Sequence, residues 1–127
     1  MTLTPAQREQ WRQLWAKETD GLAERRGQLL VVAQEVAQSL HRLWPGMVVR
    51  LFGSVGGAGC HAGSDLDLAV EGLPPEAQLE ALALAECQAD ATLARLGGEP
   101  VAVDLVRLES LPEPWRERIR RQGQVLT

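Results

Sequence analysis

The chain has 127 residues, 45% of them apolar and 24% charged, with a formal net charge of -4. That length suits one domain with one core, and the composition excludes a disordered or low-complexity chain. The acidic balance argues against general nucleic-acid binding, which depends on basic patches that neutralise phosphates.

Residues 4–44 read as helix, with Trp15, Leu22, Leu29, Val36 and Leu43 at seven-residue intervals and mostly polar residues between them. Gly21 and Gly27 each weaken a helix by about 1 kcal/mol relative to Ala, so one long rod and two helices meeting near Asp20-Gly21 both satisfy the pattern. Pro45-Gly46 ends whichever helix arrives there. Trp11, Trp15 and Trp44 are expected in the core or an interface.

Residues 47–52 form an apolar, β-branched run between Pro-Gly and Gly-Ser, which predicts a strand. A glycine-rich segment, residues 53–63, follows. It contains His61, read as an exposed or locally hydrogen-bonded loop residue, and Cys60, which with Cys87 forms no CxxC spacing and is expected to be a reduced thiol. Asp65-Leu66-Asp67-Leu68-Ala69-Val70 then alternates with the strand period, turning both aspartates to one face and Leu66 and Leu68 to the other.

Pro74-Pro75 opens a helix expected to line one side with Leu79, Leu82, Ala89, Leu93 and Leu96 and to stop at Gly97-Gly98. Residues 101–106 predict a third strand. Residues 112–121 predict a short helix that turns Trp115 and Ile119 inward and Arg116, Arg118, Arg120 and Arg121 largely outward. Gly123 permits a turn into Val125-Leu126. This order predicts an α+β domain, a small sheet covered by helices on at least one face. The longest apolar run near the start, residues 29–33, is too short to span a bilayer, and no charged segment with a cleavage site precedes it, so no membrane association and a cytoplasmic location are expected.

Acidic residues on core-like strands are costly unless a cation or hydrogen bonds replace the lost water. Asp65 and Asp67 lie two residues apart, so their carboxylates can converge on a hard cation, and Mg²⁺ favours such oxygen ligands. Asp104 repeats the pattern on the third strand, within Val103-Asp104-Leu105-Val106, and is the expected third ligand. If the strands of Asp67 and Asp104 are neighbours, three carboxylates suffice for two Mg²⁺ ions and in-line displacement at phosphorus. Gly53-Ser54 begins a turn whose main-chain N–H groups can approach a phosphate closely.

Gly53-Ser54, ten residues and Asp65-Leu66-Asp67 together read as GSx₁₀DxD. With Leu51-Phe52 before them, Ser64 beside Asp65, and the later Val103-Asp104-Leu105-Val106 strand, this pattern resembles the minimal nucleotidyltransferases of the DNA polymerase β superfamily. The C-terminal residues 118–126 are similar to that family's last helix and turn. The resemblance implies a polymerase β-type fold with a small mixed sheet, in which Gly53, Ser54 and Ser64 contact the nucleotide and Asp65, Asp67 and Asp104 hold Mg²⁺ and form the catalytic set. It implies transfer of a nucleotide, AMP from ATP being favoured, to a protein hydroxyl of a HEPN-family toxin, with the chain acting as the antitoxin. Residues 1–127 are thus expected to form one nucleotidyltransferase domain, with residues 1–28 a helical extension outside the match, suited to oligomerisation or partner binding. One departure stands out: members often carry Arg shortly after Gly-Ser, whereas this chain has Val55-Gly56-Gly57-Ala58-Gly59. That favours, as the rival expectation, a catalytically weak nucleotide-binding module that silences its partner by docking alone.

Overall fold

The computed structural model describes residues 4–53 and 65–127. It begins with one unbroken helix, α1 (Pro5–Leu43). Thr4 and Gln7 close a capping box: the Thr4 hydroxyl accepts from the Gln7 N–H at 3.2 Å and the Gln7 carbonyl accepts from the Thr4 N–H at 2.9 Å. Of the two arrangements the sequence allowed, the single rod is therefore the one adopted. Among its described side chains the buried ones are Leu29, Val32, Ala33, Val36, Ala37 and Leu40, a three-and-four spacing rather than strict sevens. Leu43, expected on the stripe, is 56% exposed. An α-helix drifts roughly 20° per seven residues from a strict heptad, which carries the last position off the core.

The sheet consists of β1 (Val48–Phe52), β2 (Leu66–Glu71), β3 (Val103–Arg107) and β4 (Gln124–Val125), in the order β3-β2-β1-β4. It is mixed: β2 and β3 run parallel, and β1 is antiparallel to both β2 and β4. The parallel pair needs a crossover, which a 3-10 turn at Pro75–Ala77 and helix α2 (Gln78–Leu96) supply. Gly97 ends α2 in the left-handed conformation at φ 72°.

One face of the sheet, with Val49, Leu51, Leu66, Leu68, Val70 and Leu105, packs beneath α1 and α2 in the main core. The buried face of α2 is Ala81, Ala85, Ala89, Thr92 and Leu93. Of the expected stripe Ala89 and Leu93 are buried and Leu82 packs against the core, while Leu79, 82% exposed, and Leu96, 38% exposed, are not part of it. Small side chains face α1 because they let two helices approach closely. Along that seam Gln88 donates to Thr92 at 3.0 Å, Thr92 donates to Glu35, and Arg95 pairs with Glu35 at 2.5 Å.

The other face carries a smaller cluster in which Ala69 meets Leu108 and Ile119, with Phe52, Val106 and Leu111 at its edge. Ile119 comes from helix α3 (Glu113–Gln122), which precedes β4. Trp115, expected inward with Ile119, is instead 56% exposed, because the first turn of α3, with Glu113 and Pro114, stands clear of the sheet. No helix among the described residues is long and apolar enough to cross a membrane.

Candidate functional site

Two adjacent strands bring Asp67 and Asp104 together, with the end of β1 on the other side of Asp67. Phe52 at the end of β1 pairs with Asp67 near the start of β2, and Asp67 pairs with Asp104 on β3. Residues directly opposite one another on adjacent strands share a sheet face, so Asp67 and Asp104 stand side by side. Leu66 and Leu68, both fully buried, point to the opposite face and anchor the strand in the main core. Asp65 lies just ahead of β2 and is exposed, as is Asp104; Asp67 is half-buried.

Gly53 follows β1 with φ 79°. A Cβ there would lie 2.3 Å from Asp67 Oδ2, so the carboxylate occupies the space that any other residue's side chain would need. The glycine turn and the second aspartate are therefore fitted to each other. Burial, joined by the charges of Asp104 and Asp65, pushes the Asp67 carboxyl above the usual aspartate range. None of the three carboxylates forms an ion pair or hydrogen bond with another described residue. Among the described residues no three Asp, Glu, His or Cys side chains, these three aspartates included, are placed so that they could hold one metal ion together. The arrangement is thus a pair of hard oxygen donors, Asp67 and Asp104, with Asp65 close enough for its charge to act on Asp67; carboxylate oxygens of this kind are the ligands Mg²⁺ prefers. Ser54 and Ser64, together with Cys60 and His61, lie outside the described residues.

No protein-family model and no curated protein matches the sequence. Among solved structures the chain is similar to a toxin–antitoxin crystallised with AMP-PNP, at 27% identity and a TM-score of 0.50, over 74% of this chain and 72% of that one. The chain has the minimal nucleotidyltransferase fold. It is also similar to the MntA-HepT toxin–antitoxin, at 24% identity and TM-score 0.47 over 77% of this chain and 71% of that one. A third similarity is to a tri-AMPylated Shewanella oneidensis HEPN toxin in complex with MNT antitoxin, at 23% identity and TM-score 0.48 over 78% and 71% of the two chains.

Within this nucleotidyltransferase fold the acidic row borders a cavity of about 550 Å³, lined among others by Phe52, Gly53, Trp115, Arg118 and Ile119. Sequence patterning missed Phe52 and Trp115 as site residues, since both sit where a core residue fits the period. The available signal was position: Phe52 immediately precedes the Gly-Ser turn, and Trp115 occupies the first turn of a helix too short to cover it.

Proposed function

We propose that this nucleotidyltransferase fold transfers a nucleoside monophosphate, AMP from ATP, onto a protein hydroxyl of a HEPN-type toxin and so acts as that toxin's antitoxin. The observation that carries the reading is the in-register pairing of Asp67 with Asp104 on adjacent parallel strands, with the Gly53 turn against Asp67. The similarity to a toxin–antitoxin holding AMP-PNP supports the choice of an adenine nucleotide and of a toxin partner.

In this reading Gly53, with Ser54 and Ser64, receives the triphosphate through main-chain and hydroxyl donors. Asp65, Asp67 and Asp104 are the residues that would hold Mg²⁺, which would supply positive charge to offset the triphosphate and the departing pyrophosphate. The acceptor oxygen forms its bond to the α-phosphorus as the bond from that phosphorus to the pyrophosphate oxygen breaks. Asp104, the exposed member of the β2/β3 pair, takes the acceptor's proton. Residues 1–28 form an extension of the nucleotidyltransferase unit, and the exposed stretch from Thr4 to Leu14 gives α1 a surface for a partner or a second copy.

The absence of Arg from Val55-Gly56-Gly57-Ala58-Gly59 favours a second reading, inhibition by docking alone, because a guanidinium there would add charge-assisted bonds to phosphate. Incubation with Mg²⁺, α-labelled ATP and a HEPN-type ribonuclease separates the two. Label on the toxin that disappears with Asp67→Ala supports transfer. Toxin inhibition that survives Asp67→Ala, with no label in either case, overturns it in favour of docking.

A further inference from the structure

The cavity between the end of β1 and α3 has no task in the scheme above. We infer that it seats the nucleobase of the bound nucleotide, with Trp115 as the stacking platform and Arg118 holding the base edge; this rests on the nucleotidyltransferase reading.

Continuity is the first argument. Gly53 both lines the cavity and lies against Asp67, so the cavity adjoins the glycine turn where the phosphates of the proposed nucleotide sit. The cavity's volume, about 550 Å³, falls within the roughly 300–1,000 Å³ of small-molecule sites.

Lining chemistry is the second. Phe52 and Ile119 supply apolar walls, while Arg118 and Gln122 supply polar groups. Arg118 Nε donates to Gln122 Oε1 at 3.3 Å, which fixes both on the same wall. The Arg118 guanidinium lies 5.8 Å from the centre of the Trp115 ring, so the ring already presents its π face to a planar group. A cationic ligand is disfavoured beside Arg118; a neutral heteroaromatic ring with nitrogen acceptors on its edge, as adenine has, is suited to it.

Exposure is the third. Trp115 is 56% exposed while Ile119, one turn later on the same helix, is 6% exposed. A large aromatic side chain at a cavity rim contributes little to the core, yet base–aromatic stacking rewards that position.

Calorimetric titration of the full chain in Mg²⁺ with ATP and with inorganic tripolyphosphate tests the assignment. Trp115→Ala is expected to weaken ATP about tenfold or more and leave tripolyphosphate unchanged, whereas Trp115→Phe keeps ATP binding within about threefold of wild type. Because Trp115 is exposed, both variants are expected to fold, which circular dichroism checks. Unchanged ATP affinity in Trp115→Ala overturns the inference alone. If that variant binds ATP normally but labels a protein acceptor poorly, the cavity belongs to the acceptor and the inference again falls. Wild-type protein that binds neither ligand overturns the nucleotidyltransferase reading and this assignment with it.

Discussion

Glu71 at the end of β2 illustrates how the charges away from the acidic row are arranged. Arg50 donates to it at 2.7 Å and Arg120 at 3.0 Å. The Arg50 hydrogen bond, assisted by Arg120, outweighs partial burial and holds the Glu71 carboxyl below the usual glutamate range. A lowered folded-state value means the pairing stabilises above the ordinary glutamate range and is lost as pH falls through the lowered value. Glu71→Gln is therefore expected to cost about 1–2 kcal/mol at pH 7, since it strands the mostly buried Arg50, and the difference from wild type is expected to vanish in acid. Urea melts at pH 7 and pH 3 check both parts. Gly53 gives a second prediction at this scale. Its left-handed backbone alone makes Gly53→Ala cost about 1–2 kcal/mol, and the new methyl displaces Asp67, so stability and Mg²⁺ response are expected to fall together in thermal melts.

Among the elements, strands were the most legible. Alternation placed Asp67 opposite Leu66 and Leu68 because a sheet with a buried face enforces a period of two; β1 falls within its predicted stretch, and β2 and β3 each run one residue past theirs, to Glu71 and Arg107. The face of α2 was legible only in part: Ala89, Leu93 and Leu82 were placed on it, but hydrophobicity ranks Leu above Ala whereas the seam with α1 selects for size, so Ala81 and Ala85 were missed and Leu79 was included. At about 100° per residue, Leu79 lies roughly 200° around the helix from Ala81, on the solvent side. Leu93→Ala is accordingly expected to cost about 2–4 kcal/mol and Leu79→Ala less than about 0.5 kcal/mol, measured by chemical denaturation. Equal costs would mean that α2 is turned the other way. The inward expectation for Trp115 failed for a related reason: helical period alone does not reveal where the sheet beneath the helix ends.

At the scale of the molecule, the candidate site exists because a βαβ crossover sets Asp104 beside Asp67 while an antiparallel neighbour brings Gly53 to the same end. The sequence named Asp65, Asp67, Asp104 and Gly53 through spacing, but only topology puts Asp104 on the face of the other two. The continuity of α1 was likewise open in the sequence, since Gly21 and Gly27 lower helix stability without forcing a break; a Cβ at either meets nothing within 4 Å. At about 1.5 Å per residue its 39 residues extend roughly 58 Å. Its described residues from Thr4 to Leu14 are all exposed, so removal of residues 1–14 is expected to change stability by less than about 1 kcal/mol while altering association, which denaturation and sedimentation would read separately.

The electrostatic cost of the acidic row offers the most direct test. A raised folded-state value means that Asp67 contributes fully to stability only below the ordinary aspartate range, and that this contribution is lost as pH rises through the raised value. At pH 7 the ionised group therefore works against folding until a cation joins it. Thermal denaturation of wild type and Asp67→Asn at pH 7, with and without millimolar Mg²⁺, measures this. The expected result is an Asn variant more stable than wild type without Mg²⁺, and a wild-type Tm that rises with Mg²⁺ while the variant's does not. A wild-type Tm indifferent to Mg²⁺, or a variant that responds equally, would contradict the account.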